Sequence, residues 1–292
     1  MEFHAEFHRI CRQIYEQLTP HPRPAENLAD DLAGRGFAVA RQIFPTDTAA
    51  LLSSEYSRVI EEQNETANTK IDPDAALKAR VFALIRDALE GGIANQLEAY
   101  FGSFFRIDHC EMMRSRAAPT TGLSYLWHRD FDPMSKIHVL IYLTDCGAES
   151  PATLLTTFDD TRRCAQNGYS FPPRSRRIAD LNELSPGDPD PIVPVRPRLA
   201  AGDATVFAPS RILHRGDIPR EQVRDLLILN ILPSLNPWDR EMDAFAPDRL
   251  FEGRSTLWYD PFSRNKPSIP GHNEVSAPLW AQMAYPFPLT AV

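Results

Sequence analysis

The sequence predicts an α+β fold in which N-terminal helices cover one face of an antiparallel sandwich or barrel. Three observations predict it: helical periodicity through roughly the first hundred residues, strand-like runs from Phe105 to Ser234, and no βα alternation between them. The 292 residues suit one large domain or two small ones. We expect a single domain spanning 1–292, with a mainly helical support at 1–104, a β core at 105–235 and a C-terminal tail at 236–292.

Phe3, Phe7, Ile10, Ile14 and Leu18 recur at three- and four-residue steps, which predicts an amphipathic first helix. GFAVARQIF (Gly36 to Phe44) reads as a strand. Thr46 then stands as N-cap of a helix carrying Leu51, Leu52, Tyr56, Val59 and Ile60. A further helical stretch is expected over Asp74 to Tyr100. The strand-like runs are RIDHCEMMRSR, KIHVLIYLTD, DATVFAP and VRDLLILNILPS, separated by turn-rich loops. LLILNIL is apolar on both parities, so this strand should be buried on both faces.

Between Glu149 and Pro197 lies a long segment whose middle, CAQNGYSFPPRSRR, is polar and turn-rich; an active-site lid and a disordered loop are equally compatible with it. After Pro233 the tail carries Trp238, Trp258 and Trp280, too many large aromatics for a disordered segment. It is expected to wrap the domain or to join a subunit contact, which leaves a homodimer open.

A net charge of -8 and a pI near 5.5 supply no global positive field, which argues against nucleic acid and anionic membranes as partners. A small-molecule or protein substrate is favoured. Cys11, Cys110, Cys146 and Cys164 lack CxxC spacing in a chain too large to need disulfide staples, so buried free thiols are expected. No apolar run approaches the roughly 18 residues of a membrane helix, and the first residues lack a basic region followed by an apolar run. A cytoplasmic protein fits these features.

Trp127-His128-Arg129-Asp130 before one strand, and Gly202-Asp203-Ala204-Thr205-Val206-Phe207 leading to His214, carry the chemistry. Residues two apart on an extended chain point the same way, so His128 and Asp130 can present an imidazole and a carboxylate to one point. His214 follows a run expected to lie antiparallel beside the first, which makes it the natural third ligand. Two imidazoles and a carboxylate on one face of an octahedron leave three adjacent positions open, the arrangement of oxygen-activating Fe(II) enzymes. An isolated His-x-Asp means little; His214-Arg215-Gly216 and then Arg224 at the opening of an apolar strand make the combination specific.

Over roughly Arg106 to Ser234 this pattern resembles the Fe(II)/2-oxoglutarate-dependent oxygenases, which share a double-stranded β-helix (jelly-roll, cupin-like) core. Their motif is His-x-Asp, a distal His and a basic residue about ten positions later. The helical N-terminus, the GFAVARQIF strand and the use of Arg look most like the phytanoyl-CoA dioxygenase group. Two features depart from the family: its Pro-Gly-Ser-His segment is missing around Leu154 to Asp160, and Gly216 stands where a hydroxyl residue often helps bind the co-substrate.

The resemblance implies that His128, Asp130 and His214 bind Fe(II), that 2-oxoglutarate chelates the metal, and that Arg224 holds its distal carboxylate. It further implies that O2 is consumed, succinate and CO2 are released, and a small-molecule C–H bond is oxidised; hydroxylation, or a related desaturation or cyclisation, is preferred to halogenation because Asp130 occupies the place halogenating relatives leave for chloride. A bidentate charge-assisted pair between a guanidinium and a carboxylate, walled by Leu226 and Ile228, is physically sound. An ordinary ion pair of Arg224 with Asp225 or Glu221 is the competing assignment.

Tyr142 stands where the family tends to place a residue lining the co-substrate pocket, with a core tyrosine as the equal alternative. His138 shares its parity, yet a satisfied core histidine is favoured there. For His109, Arg114 and Arg116 substrate contacts compete with a solvated face, which is favoured; for Arg174, Arg176 and Arg177 contact with an anionic substrate from a lid competes with a hydrated loop, which is favoured. The rival functions are a peptidyl hydroxylase of the same superfamily, a cupin-like metal enzyme without 2-oxoglutarate, and a non-catalytic metal-binding module.

Overall fold

Helix α1 (Glu2–Leu18) forms because its apolar residues fall on one stripe: Phe7, Ile10, Cys11 and Ile14 are buried together against Leu235. The computed structural model describes residues 2–19, 27–63, 69–70, 72–117, 123–147, 150–219, 222–243 and 247–252. Most of the expected tail, with Trp258 and Trp280, lies outside the described residues, as does the side chain of Phe3.

Helix α2 (Leu28–Arg35) leads into strand β1 (Phe37–Ala40), shorter than the expected GFAVARQIF run. In α3 (Thr46–Glu62), Ala49, Leu52, Tyr56, Val59 and Ile60 face the core; Leu51 falls between these positions and is 48% exposed. Thr46 is the first helical residue rather than the cap: Pro45 holds the cap position, without a side-chain hydrogen bond. The expected helix over 74–100 is divided. Asp74 caps α4 (Ala75–Ala88) by accepting from the Leu77 N–H, a wide turn at Leu89–Ile93 follows with Gly92 at φ 118°, and α5 (Ala94–Phe101) continues.

Six strands form one antiparallel sheet. In chain order β1 is followed by β2 (Thr69–Lys70), β3 (Phe104–Ser115), β4 (Ile137–Tyr142), β5 (Thr153–Leu155), β6 (Ala204–Phe207), β7 (His214–Gly216) and β8 (Arg224–Ser234). The larger sheet runs β1-β6-β4-β8-β3-β2, and β5 pairs with β7 in a second, smaller sheet. All four expected strand runs form, and every residue of β8 is buried. Its alternation explains why: Leu227, Leu229 and Ile231 pack into the core beneath the helices, whereas Leu226 and Ile228 pack on the other side with Leu155 of the smaller sheet. The result is a mixed fold of helices on one face of an antiparallel sheet, with a second sheet across the other.

The 149–197 segment is neither a bare loop nor disordered. Apart from the undescribed Glu149, it contributes β5, helix α6 (Phe158–Gln166) and Val195, which bridges Leu155. Its own apolar cluster joins Leu154, Cys164, Tyr169, Leu181 and Ile192 to Trp127 and Leu213. Helices α7 (Trp238–Asp243) and α8 (Pro247–Phe251) pack on β3. The four cysteines are free and buried, and among the described residues no helix is long and apolar enough to cross a membrane.

Candidate metal centre

The backbone brings the three candidate ligands together before their side chains do. His128 and His214 form an antiparallel bridge, with N–H to carbonyl distances of 3.1 and 2.9 Å, and the Asp130 N–H donates to the Pro209 carbonyl at 3.0 Å. Their imidazoles therefore stand side by side, with ring centroids 4.4 Å apart. The two Asp130 carboxylate oxygens lie 3.7 Å from His128 Nε2 and 3.8 Å from His214 Nε2. All three donor atoms fall within 4.8 Å of one another.

Alternation along the extended chain separates Arg129 from its neighbours. Its guanidinium turns outward, donating to the Ser210 carbonyl at 2.6 and 2.8 Å and lying 3.9 Å over the Phe171 ring, so it clamps the loop that carries both ligands.

Both histidines place Nδ1 against a carbonyl two residues back, His128 on Leu126 at 2.7 Å and His214 on Ile212 at 3.3 Å. An Nδ1–H donated there fixes the tautomer that leaves the Nε2 lone pair facing the cluster. Burial, reinforced by the neighbouring His214 charge, holds His128 well below the usual histidine range, and burial depresses His214 to about 4. Both imidazoles are accordingly neutral at neutral pH, as metal ligation requires.

The cluster opens into a cavity of about 400 Å³ between the two sheets. One wall consists of alternate residues of the larger sheet: His109, Glu111 and Met113 on β3, His138 and Leu140 on β4, and Arg224, Leu226, Ile228 and Asn230 on β8. Thr153, His214 and Gly216 of the smaller sheet face them.

Arg224 is 4% exposed on this wall, and the expected alternatives for it now separate. Its Nη1 donates to the Ala152 carbonyl at 2.6 Å and Nη2 to Ser115 Oγ at 3.3 Å, while Nε has no hydrogen-bond partner. Asp225 is not its counter-ion: one residue along the strand it faces the other side, where it accepts from Arg114 Nε at 2.7 Å and Ser53 Oγ at 2.6 Å. Glu221 lies outside the described residues. Gly216 makes room for the guanidinium, since a Cβ there would stand 3.2 Å from Arg224 Nη2 and 3.2 Å from the Tyr125 ring.

Tyr142 shares the face of His138 and Leu140 but lies deeper, fully buried, with its hydroxyl accepting the Thr153 N–H at 3.0 Å. It supports the strand that walls the cavity. His138 lines the cavity, although a satisfied core histidine was expected: its Nε2 is buried and has no partner among the described residues. His109 and Arg114, expected on a solvated face, are 3% and 6% exposed, because both faces of β3 are covered: His109 turns into the cavity, and Arg114 turns the other way onto Asp225 and onto Ser57 of α3. Arg174 and Arg176 are exposed in a short turn. Sequence reasoning missed Glu111, Asn230, Lys70 and the buried pair Asp132–Lys136 at 2.7 Å, all on the cavity wall. Alternation from Arg224 to Asn230 and from His109 to Glu111 is the signal that points to two of them.

No protein-family model matches the chain, and no curated protein matches it. Among solved structures it is similar to SnoK, described as a non-haem α-ketoglutarate-dependent carbocyclase from nogalamycin biosynthesis (14% identity, 80% of this chain, 95% of that chain, TM-score 0.49). It is also similar to EvdO2 from Micromonospora carbonacea var. aurantiaca complexed with 2-oxoglutarate (16%, 73% and 92%, TM-score 0.48). HygX from Streptomyces hygroscopicus with iron bound is a third (15%, 74% and 89%, TM-score 0.48). Likeness at this level leaves the side chains of the site to carry any functional assignment.

Proposed function

We propose that this chain is a non-haem Fe(II)- and 2-oxoglutarate-dependent dioxygenase whose single domain, built on a double-stranded β-helix, hydroxylates a C–H bond of a small molecule. The observation that carries this reading is the placement of His128, Asp130 and His214 in one cavity with a buried guanidinium, Arg224, that has no carboxylate partner among the described residues. Two neutral imidazoles and one carboxylate are the donor set that suits Fe(II) with open positions. The orphaned Arg224 Nε is the polar atom that a bound dicarboxylate would satisfy.

In this reading His128, Asp130 and His214 hold the metal, and Arg224 fixes the distal carboxylate of 2-oxoglutarate. Bound Fe(II), 2-oxoglutarate and O2 together supply an oxidant for an unactivated C–H bond, with release of succinate and CO2. Leu226 and Ile228 keep water from the guanidinium–carboxylate pair and so strengthen it. Asp130 fills the position a halide would otherwise take, which favours hydroxylation, or a related desaturation or cyclisation, over halogenation. Tyr142 acts on the co-substrate pocket through Thr153.

The test is succinate formation by purified protein with Fe(II), 2-oxoglutarate and O2, alongside the weak visible charge-transfer band expected on anaerobic addition of Fe(II) and 2-oxoglutarate. Both are expected. A folded, iron-loaded sample showing neither overturns the reading.

A further inference from the structure

The cavity has two chemically different ends. Arg224 and Asn230 sit on the same face of β8, six residues apart, so at about 3.3 Å per residue they are separated by roughly 20 Å. Beside Arg224 strand β8 presents Leu226 and then Ile228, which Glu111 faces across from β3. Around Asn230 the wall is polar, because register places His109, Asn230 and His138 side by side across β3, β8 and β4. That row ends at Phe207, whose ring lies 5.4 Å from His138 and 4.9 Å from His214, so it adjoins the candidate metal ligands.

We propose that the prime substrate is an uncharged polyhydroxylated ring, bound at the Asn230 end by hydrogen bonds to His138, Asn230 and Glu111 and stacked at the mouth on Phe131. This rests on the co-substrate assignment made for the Arg224 end. His109 Nε2 ties this row together, lying 3.2 Å from both Glu111 Oε1 and Asn230 Nδ2, Lys70 pairs with Glu111, and His138 keeps a buried Nε2 without a partner. A wall that mixes donors and acceptors is best met by hydroxyl groups, each of which both donates and accepts.

Charge selects against an ionic substrate. The charged groups on this wall come as opposed pairs, Lys70 with Glu111 and Lys136 with Asp132, leaving no surplus for a substrate charge to match. A long alkyl chain fits no better, since it would cover the Lys70–Glu111 ion pair and the unpaired His138 Nε2 without meeting either. Phe131 is 73% exposed and borders the cavity, with its ring 5.0 Å from Phe171, which is itself packed under Arg129. A braced, exposed aromatic face suits the C–H face of a sugar-like ring.

Saturation-transfer NMR on the Zn(II)-loaded full chain with 2-oxoglutarate tests this, using methyl α-glucopyranoside, myo-inositol and decanoate as probes. At least one polyol is expected to bind and decanoate not to. Asn230→Leu should weaken polyol binding tenfold or more, and Phe131→Ala, at an exposed position that folding does not need, severalfold. Binding of decanoate alone, of no probe, or of polyols unaffected by both variants overturns the proposal. Calorimetry of 2-oxoglutarate on the same samples reads the other end separately. Polyol binding without 2-oxoglutarate binding would sustain the polar-end assignment and overturn only the co-substrate reading.

Discussion

Arg224 separates the proposed oxygenase from a generic metal-binding sandwich. Its guanidinium is buried with Nε unpaired, and Asp225, the neighbour that could have neutralised it, is committed to Arg114 on the opposite face. Removing the charge with Arg224→Leu should cost roughly 2–5 kcal/mol of 2-oxoglutarate binding, tens- to thousands-fold in affinity, because the distal carboxylate is then stranded. Metal content should be retained. Pyruvate, which lacks that carboxylate, should lose much less; titration calorimetry of both oxo-acids with metal content measured in parallel decides it. Equal losses for the two acids would make Arg224 a structural residue. His128→Ala and His214→Ala should behave oppositely, losing the metal while keeping the fold, since loss of a ligand exceeds the 10- to 100-fold typical of removing a group that merely orients one. Iron analysis after dialysis checks this, and an iron-replete His214→Ala protein would break the ligand set.

Strand β8 is where element-level packing and site chemistry meet, because its two faces do different work. Leu227 belongs to the helix-side core and Leu226 to the cavity wall. Leu227→Ala should therefore destabilise by about 2–5 kcal/mol through the cavity it leaves, with little change in 2-oxoglutarate affinity. Leu226→Ala should weaken co-substrate binding as well, because water then reaches the Arg224 pair. Denaturant melts and calorimetry on the two variants separate these effects, and an identical response from both would contradict the face assignment.

The same strand shows what was legible beforehand. Apolar residues on both parities announced burial on both faces, and His-x-Asp, His214 and Arg224 were readable because alternation aims side chains separated by two residues at one point. Strands β5 and β7 were not legible: three residues are too few to display a period of two, and what holds them is pairing with each other and with His128 and Val195. The solvated face expected for His109 and Arg114 failed for a related reason. Nothing local reveals that both faces of a charged strand will be covered, as β3 is by the cavity on one side and by α3 on the other. The Asn230 end escaped notice because its row is assembled across three strands whose register is set by tertiary pairing.

At the scale of the whole molecule, α1 packs on Leu235 beyond the last strand, and α7 and α8 on β3, so the N-terminal helices and the residues after the core close around the same sheet. One cooperative thermal transition is expected from such packing, and ligands that bind only the folded state should raise its midpoint. A ligand at about 100 times its Kd stabilises by about 2.7 kcal/mol, which at roughly 1.5–2 °C per kcal/mol for a chain of this size gives about 4–5 °C. Metal alone should produce one increment. 2-Oxoglutarate should add a second only when metal is present, because in the proposed reading metal and co-substrate would share one site, and such coupling is reciprocal. The variants resolve the origin of each increment: His214→Ala should lose both, whereas Arg224→Leu should keep the metal increment and lose most of the other. Differential scanning calorimetry with Ni(II) in place of Fe(II), which avoids oxidation during heating, measures all four combinations of metal and co-substrate. If 2-oxoglutarate stabilises equally without metal, or stabilises the Arg224→Leu protein fully, then the dicarboxylate does not bridge the metal and Arg224. Two separate transitions would instead show that the helical support and the β core melt independently.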